Sequence, residues 1–175
     1  DSYGSRGLGD VYKRQAPRYQ EIPELDSPAV EKDGVWARVI AGECMGVTST
    51  IDTVIPITLI HVKMEKGAVL TQKIGADLNG MIYAFGGSVK LVDRPGVRSY
   101  PLPLGFGVRQ HVNDGELALL SEGDVIELKC DKAADLLILA GPEINEPIAR
   151  YGPFVMNTRE EIHQAVIDYQ NGTLA

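Results

Sequence analysis

The chain has 175 residues, of which 44% are hydrophobic, and its 17 basic and 24 acidic side chains give a net charge of −7. This length and apolar content allow one globular domain with a sizeable core. The acidic balance argues against direct binding to nucleic-acid phosphates or anionic membrane surfaces, and no apolar stretch approaches the length of a membrane span.

The first 34 residues carry no strand or helix pattern that we can assign. Residues 1–15 lack periodicity and an initiator methionine, so we interpret them as a foreign or disordered leader. Residues 16–34 are polar and contain Pro17, Pro23 and Pro28, a composition typical of a linker. We therefore expect the folded domain to span residues 35–175.

The domain contains many short segments with strand patterns. We predict strands at 35–41, 48–55, 57–64, 81–85, 89–92, 117–120, 125–128 and 136–140. Gly86 and Gly87, between two of these segments, are typical of a hairpin turn. The proline- and glycine-rich range 93–115 is predicted as a long loop with a short strand near 107–112. Many short strands with regular turn signals favour an all-β sandwich or barrel.

A helix is predicted at the end of the chain. Thr158 and Glu161 match a capping box at its start, and Gly172 stands where a helix commonly ends. Four apolar residues at helical spacing form one stripe: Ile162, Ala165, Val166 and Tyr169. A helix this short is not stable alone in water, so the stripe must pack on something. We expect it to close the β domain, and docking on a partner domain is the alternative.

Three runs near the end of the chain carry a family resemblance. They read GPEINEPI from Gly141, GPFVMNT from Gly152 and EEI from Glu160. Together they resemble the end of the pirin family, and the similarity extends back to about residue 16. Pirins are proteins of two cupin domains, and this chain resembles only the second. The resemblance implies an all-β cupin-type jelly-roll barrel with a C-terminal α-helix, preceded by an interdomain linker and an N-terminal cupin domain that is missing here.

Cupins commonly hold a metal inside the barrel, so the resemblance directs attention to the ligand positions. Counted from Gly67, the first cupin motif places its histidines at Lys73 and Gly75 and its glutamate at Asn79. The second motif places its histidine at Ala134. A non-haem iron site needs imidazoles and a carboxylate, and these four residues supply neither. We expect no metal in this domain and take Lys73, Gly75, Asn79 and Ala134 as candidate pocket-lining residues at vacated ligand positions.

The remaining chemistry-bearing residues form no recognisable catalytic motif. His61, His111 and His163 are expected at the surface, and Cys44 and Cys130 form no CxxC or zinc-like spacing. We expect both thiols to be reduced, because the chain has no secretion signal and its composition fits an intracellular protein. The expected location is cytoplasmic, or nuclear if the source is eukaryotic.

Three functions follow from the resemblance and stay open. Pirins carry an iron site in the N-terminal domain, and some behave as quercetin dioxygenases while others modulate transcription factors. The favoured interpretation is a metal-free C-terminal cupin half with a structural or binding role, whose partner is the N-terminal cupin domain and which has no cofactor of its own. A further protein partner is left open. The first alternative is a part of an iron(II)-dependent quercetin 2,3-dioxygenase-like enzyme whose catalytic residues lie in the missing domain. The second is a small-molecule-binding barrel with Lys73 and Asn79 as polar handles.

Overall fold

A computed structural model of the chain describes residues 20–23, 26–101 and 108–174. Its strands are β1 (Ala29–Lys32), β2 (Val35–Ala41), β3 (Glu43–Cys44), β4 (Val47–Thr48), β5 (Thr58–Met64), β6 (Val69–Lys73), β7 (Leu78–Gly86), β8 (Ser88–Leu91), β9 (Tyr100–Pro101), β10 (Val108–Arg109), β11 (His111–Asn113), β12 (Leu117–Leu119), β13 (Val125–Lys129), β14 (Ala134–Pro142), β15 (Ala149–Tyr151) and β16 (Phe154–Met156). Helix α1 spans Arg159–Asn171. The leader predicted at residues 1–15 and residues 102–107 of the predicted loop lie outside the described residues. The chain divides into two compact units, one of residues 20–142 and one whose described part begins at Glu143.

Two antiparallel sheets build the unit of residues 20–142. One has six strands in the order β1-β2-β5-β14-β7-β12, and the other has four in the order β11-β8-β13-β6. Side chains alternate between core and surface along the strands, as β2 shows from Val35 to Ala41. This alternation is the pattern of an antiparallel sheet with one face on a core. The predicted all-β jelly roll with a C-terminal helix is confirmed, although the two described sheets do not join into one closed barrel.

The hydrophobic core lies between the two sheets and draws side chains from both. Its members from the six-stranded sheet include Val39, Ile60, Val62, Ile82, Leu136 and Ile138. Its members from the four-stranded sheet include Leu70, Val89, Leu91, Val112, Ile126 and Leu128. All of these side chains are at most 2% exposed. Burying one such side chain contributes about 1.5–3 kcal/mol, so the filled interior is a main source of the stability of this unit.

One predicted strand has the wrong extent. The predicted strand at 48–55 ends at Thr48, because the Ser49 hydroxyl donates to the carbonyl of Ile40 at 2.6 Å and accepts from the amide of Ile51 at 3.0 Å. Such local side-chain bonds offer the backbone an alternative to a sheet ladder. β1 lies inside the segment predicted as a linker and pairs with β2, and the predicted domain boundaries stay a prediction.

The Gly86–Gly87 turn is not the predicted hairpin, because β7 and β8 belong to different sheets. The turn carries the chain from the six-stranded sheet into the four-stranded one. Gly87 has a φ of 70°, and a Cβ at that position would overlap the carbonyl oxygen of Ala133. This corner therefore requires glycine for two reasons: the backbone is left-handed, and it comes close to the backbone of Ala133.

The C-terminal unit consists of the β15–β16 hairpin and helix α1, which contacts both strands. The predicted capping box is confirmed: the amide of Glu161 donates to Thr158 Oγ1 at 3.2 Å, and the amide of Thr158 donates to Glu161 Oε2 at 3.0 Å. Gly172 ends the helix in a left-handed conformation, as predicted. Of the predicted stripe, Ile162 and Ala165 are buried, while Tyr169 meets the ring of Phe154 edge-on at 5.9 Å. That the helix closes the β domain stays a prediction.

Candidate functional site

The four positions proposed to line a pocket do not come together: these are Lys73, Gly75, Asn79 and Ala134. Lys73 pairs with Val125 at one end of the β6–β13 ladder, and Gly75 follows in the turn after β6. Asn79 pairs with Gly141, at the opposite end of β14 from Ala134. Ala134 follows the other end of the β6–β13 ladder. The first three positions therefore lie at one end of the sheets, and Ala134 lies at the other.

The strand register turns other side chains toward the interior. Lys73 and Asn79 are exposed, whereas Gln72, Ile74 and Gly80 are buried. Successive strand residues face opposite sides, so a motif count displaced by one residue exchanges core for solvent. The core-facing residues of this segment are thus Gln72 and Ile74, which the glycine count could not reveal. Ligand binding at the four predicted positions stays a prediction.

A buried arginine organises the end of the unit that holds Gly75. Arg98 is 2% exposed. Its Nη2 donates to the carbonyls of Gly75 at 2.8 Å and Leu78 at 2.6 Å, and its Nη1 donates to the carbonyl of Ser121 at 3.2 Å. Burial lowers the pKa of Arg98, and the charges of nearby Asp124 and Glu122 oppose that shift. An arginine keeps its charge at neutral pH, so a fixed cation lies beside the first motif. Its position in a loop rich in proline and glycine gives no sequence signal of this role.

The described residues contain no group of three or more histidine, cysteine, aspartate or glutamate side chains that could hold a metal ion. His111 and His163 are exposed, as predicted. His61 is half-buried and its Nε2 lies 2.5 Å from Oδ1 of Asp135. The donors of metal sites are imidazoles, thiolates and carboxylates in convergent sets, and a single histidine–aspartate pair supplies too few of them.

Both thiols are free and buried. Burial, followed by the charge of Glu43, raises the pKa of Cys44 to about 11. Burial also raises the pKa of Cys130, and its Sγ donates to the carbonyl of Lys132. Because the thiolate is the nucleophile and the metal ligand, neither cysteine is suited to catalysis at neutral pH.

An open groove of about 610 Å³ lies at the end of the six-stranded sheet where Ala134 is found. Its walls carry one cation, Lys63, and three carboxylates, Glu31, Glu65 and Asp135, beside Trp36. The indole of Trp36 already has two cations near it, with Arg38 and Lys63 at 5.4 and 5.3 Å from the ring centroid. Cation–π pairing with the protein's own side chains leaves this wall less suited to an external ligand. Among the four predicted positions, Ala134 alone lines this groove.

The face of the six-stranded sheet that points away from the core is also apolar. We call it the outer sheet face and define it by Trp36, Leu59, His61, Met81, Tyr83, Phe85, Leu117, Leu119, Leu137 and Leu139. The ring of His61 lies 5.3 Å from that of Trp36 and 5.5 Å from that of Phe85, between centroids. This surface is an extended, mostly apolar cluster of side chains, and it was not predicted from the sequence.

Comparison with known proteins gives a consistent picture. The family described as the Pirin C-terminal cupin domain matches residues 59–175. A mouse protein named Pirin is 34% identical over 161 residues, which cover 91% of this chain and 51% of that protein. A pirin-like protein of Solanum lycopersicum is 36% identical over 171 residues, which cover 94% of this chain and 53% of that protein.

Similarity extends to proteins named as dioxygenases. A putative quercetin 2,3-dioxygenase of Vibrio cholerae is 32% identical over 140 residues, covering 77% of this chain and 44% of that protein. A crystal structure of a quercetin 2,3-dioxygenase from Acinetobacter baumannii matches with a TM-score of 0.77 at 29% identity, covering 96% of this chain and 54% of the other. The chain thus spans about half the length of the curated relatives that it matches. No helix among the described residues is long and apolar enough to cross a membrane.

Proposed function

Since the chain belongs to the pirin family and corresponds to its C-terminal cupin domain, we propose that it is the metal-free half of a two-cupin protein. Its role there is structural or binding, and its partner is an N-terminal cupin domain of the same polypeptide. The observation that carries this proposal is the filled interior, in which apolar side chains from both sheets pack against one another. The family resemblance implies that a cupin holds its metal inside the barrel, so a core of this kind supports a metal-free half.

The chemistry of the inward-facing residues supports the absence of a metal. Ile74 and Gly80 have no side-chain donor atom, and the amide nitrogen of Gln72 already donates to the carbonyls of Glu43 and Lys73, both at 2.8 Å. The guanidinium of Arg98 adds a positive charge close by, and a like charge in a region of low dielectric disfavours a second cation. Iron(II), which the family resemblance assigns to the N-terminal domain, therefore does not fit this half.

The chain, purified without a histidine tag, is expected to contain far less than one equivalent of metal. Elemental analysis by mass spectrometry checks this directly. Adding iron(II) should also leave the thermal midpoint unchanged, because the chain has no site for it. A metal that did bind, at 100 times its dissociation constant, would stabilise the fold by about 2.7 kcal/mol and raise the midpoint. About one equivalent of iron, zinc, copper or nickel that persists after mild chelation would contradict the proposal.

A second function concerns the full-length protein rather than this half. The similarity to the Acinetobacter baumannii enzyme over 96% of this chain favours an iron-dependent quercetin 2,3-dioxygenase-like activity whose catalytic residues lie in the N-terminal domain. Bound iron would supply a Lewis acid with open coordination positions. In that arrangement this chain supports the catalytic domain. The filled core weighs against the third function considered, a barrel that binds a small molecule in its interior.

The chain alone is expected to show no flavonol-dependent oxygen uptake, even with iron(II) added, because it has no donor set to fix the metal. An oxygen electrode with quercetin as substrate provides the measurement, and free iron(II) with quercetin provides the background. Uptake clearly above that background would contradict the assignment of this half as non-catalytic. Uptake by the full-length protein with none by this chain would agree with the second function.

A further inference from the structure

We propose that the outer sheet face is the docking surface for the N-terminal cupin domain of the full-length protein. This inference rests on the proposed function, in which the chain is one half of a two-cupin protein, and adds the surface through which the halves meet.

Strand β14 has an apolar sequence on both of its faces. Leu136 and Ile138 are in the core, and Leu137 and Leu139 lie on the outer sheet face, half-buried. A strand with one face in water normally alternates apolar and polar residues, whereas an uninterrupted apolar run is typical of a strand covered on both sides. The sequence of β14 therefore indicates that the outer sheet face is covered in the complete protein.

The neighbouring strands extend this apolar surface in two rows. One row runs across the sheet through Leu59, Leu139, Met81 and Leu119, and the other through His61, Leu137, Tyr83 and Leu117. The outermost side chains are the most exposed, with Leu119 at 60% and Leu117 at 48%. An extended exposed patch of this kind marks an interaction surface.

The size of the face fits a domain interface. The five strands that carry the outer sheet face lie about 4.8 Å apart and average seven residues, so they span about 19 Å by about 24 Å. The face is thus about 450 Å², within the roughly 300–750 Å² per side that is usual between domains of one chain. Charged residues Arg38, Lys63 and Asp135 lie toward one border, beside Trp36, while the middle is leucine and tyrosine. An apolar centre with a polar rim is the usual anatomy of such interfaces.

The relatives indicate the occupant. The chain covers 51% and 53% of two pirin relatives and 54% of the Acinetobacter baumannii enzyme, so each of them carries a further segment about as long as this chain. A second domain of that size has enough surface to cover a face of this area.

Hydroxyl-radical footprinting tests the inference by comparing this chain with the full-length protein. Met81, Tyr83, Phe85 and Leu119 are expected to be labelled at least about threefold less in the full-length protein. Val69, which is 48% exposed on the other sheet, should be labelled equally in both. Equal labelling of the four residues would overturn the inference. So would protection that already exists in this chain as a dimer, since a second copy would then be the occupant.

A pair of variants separates docking from folding. In the full-length protein, Leu119→Asp should restore the labelling of Met81 and Tyr83 to the level seen in this chain, because a charge in an apolar contact is costly. Val69→Asp is the matched control and should leave the labelling low. Neither change should alter the melting of this chain by more than about 2 °C, since exposed positions tolerate polar residues. Persistent protection in the Leu119→Asp protein would contradict the inference. A bound metal would contradict the proposed function but would leave these labelling levels unchanged.

Discussion

Replacing Arg98 by methionine is expected to lower the free energy of unfolding of this chain by about 3 kcal/mol. The side chain ties together the carbonyls of Gly75, Leu78 and Ser121 through its two terminal nitrogens. Each buried carbonyl that loses its donor costs about 1–3 kcal/mol. The total stays below the sum because Gly75 is exposed, so water can reach part of the vacated turn, and because a buried charge no longer has to be desolvated.

Urea unfolding of the Arg98→Met protein checks this value, with Arg109→Met as the control. Arg109 is an exposed arginine whose Nη2 lies 3.0 Å from Oε1 of the partly exposed Glu116, and an exposed ion pair contributes about 0–1 kcal/mol. Arg98→Lys is expected to recover little, because an ammonium group cannot reproduce the planar fork that reaches several carbonyls. Equal losses at Arg98 and Arg109 would show that the buried contacts add nothing.

The Gly87→Ala protein is expected to lose more than about 3 kcal/mol, or to fail to fold. A side chain there has to adopt a left-handed backbone, which costs about 1–2 kcal/mol, and it also meets the carbonyl of Ala133. Strain in a well-packed region adds about 1–3 kcal/mol. The corner between the two sheets cannot open without moving the start of β14.

Gly115→Ala isolates the steric part of that effect. Gly115 has a φ of 77° with no atom within 4 Å of the position a Cβ would take, so only the backbone term of about 1–2 kcal/mol applies. Chemical denaturation of the two variants gives the difference. If both lose the same stability, the contact with Ala133 has no energetic weight and the corner tolerates a side chain.

Much of the fold could be predicted from local patterns and the family resemblance. Alternation along β2 and the capping box at Thr158 depend on residues close in sequence, and both are confirmed. The prediction failed where the outcome depends on distant parts of the chain. Nothing in the Gly86–Gly87 pair reveals that the flanking strands pair with different neighbours, and nothing near Arg98 reveals that its partners are 20 to 23 residues away. The candidate pocket positions were counted along the motif from a glycine, whereas the register that exposes Lys73 and Asn79 is set by strand pairing.

The central position of β14 has a consequence for the synthesis of the protein. Its partner strands are far earlier in the chain, with Ala134 opposite Met64 and Pro142 opposite Leu78. At about 5–20 residues per second, roughly 4–16 s pass between the synthesis of β5 and the completion of β14. During that interval β5 on one side and β7 on the other each have an unpaired edge, and edges of this kind attract other nascent chains. The last strand to emerge from the ribosome before the C-terminal unit is therefore the one that joins the two halves of the sheet.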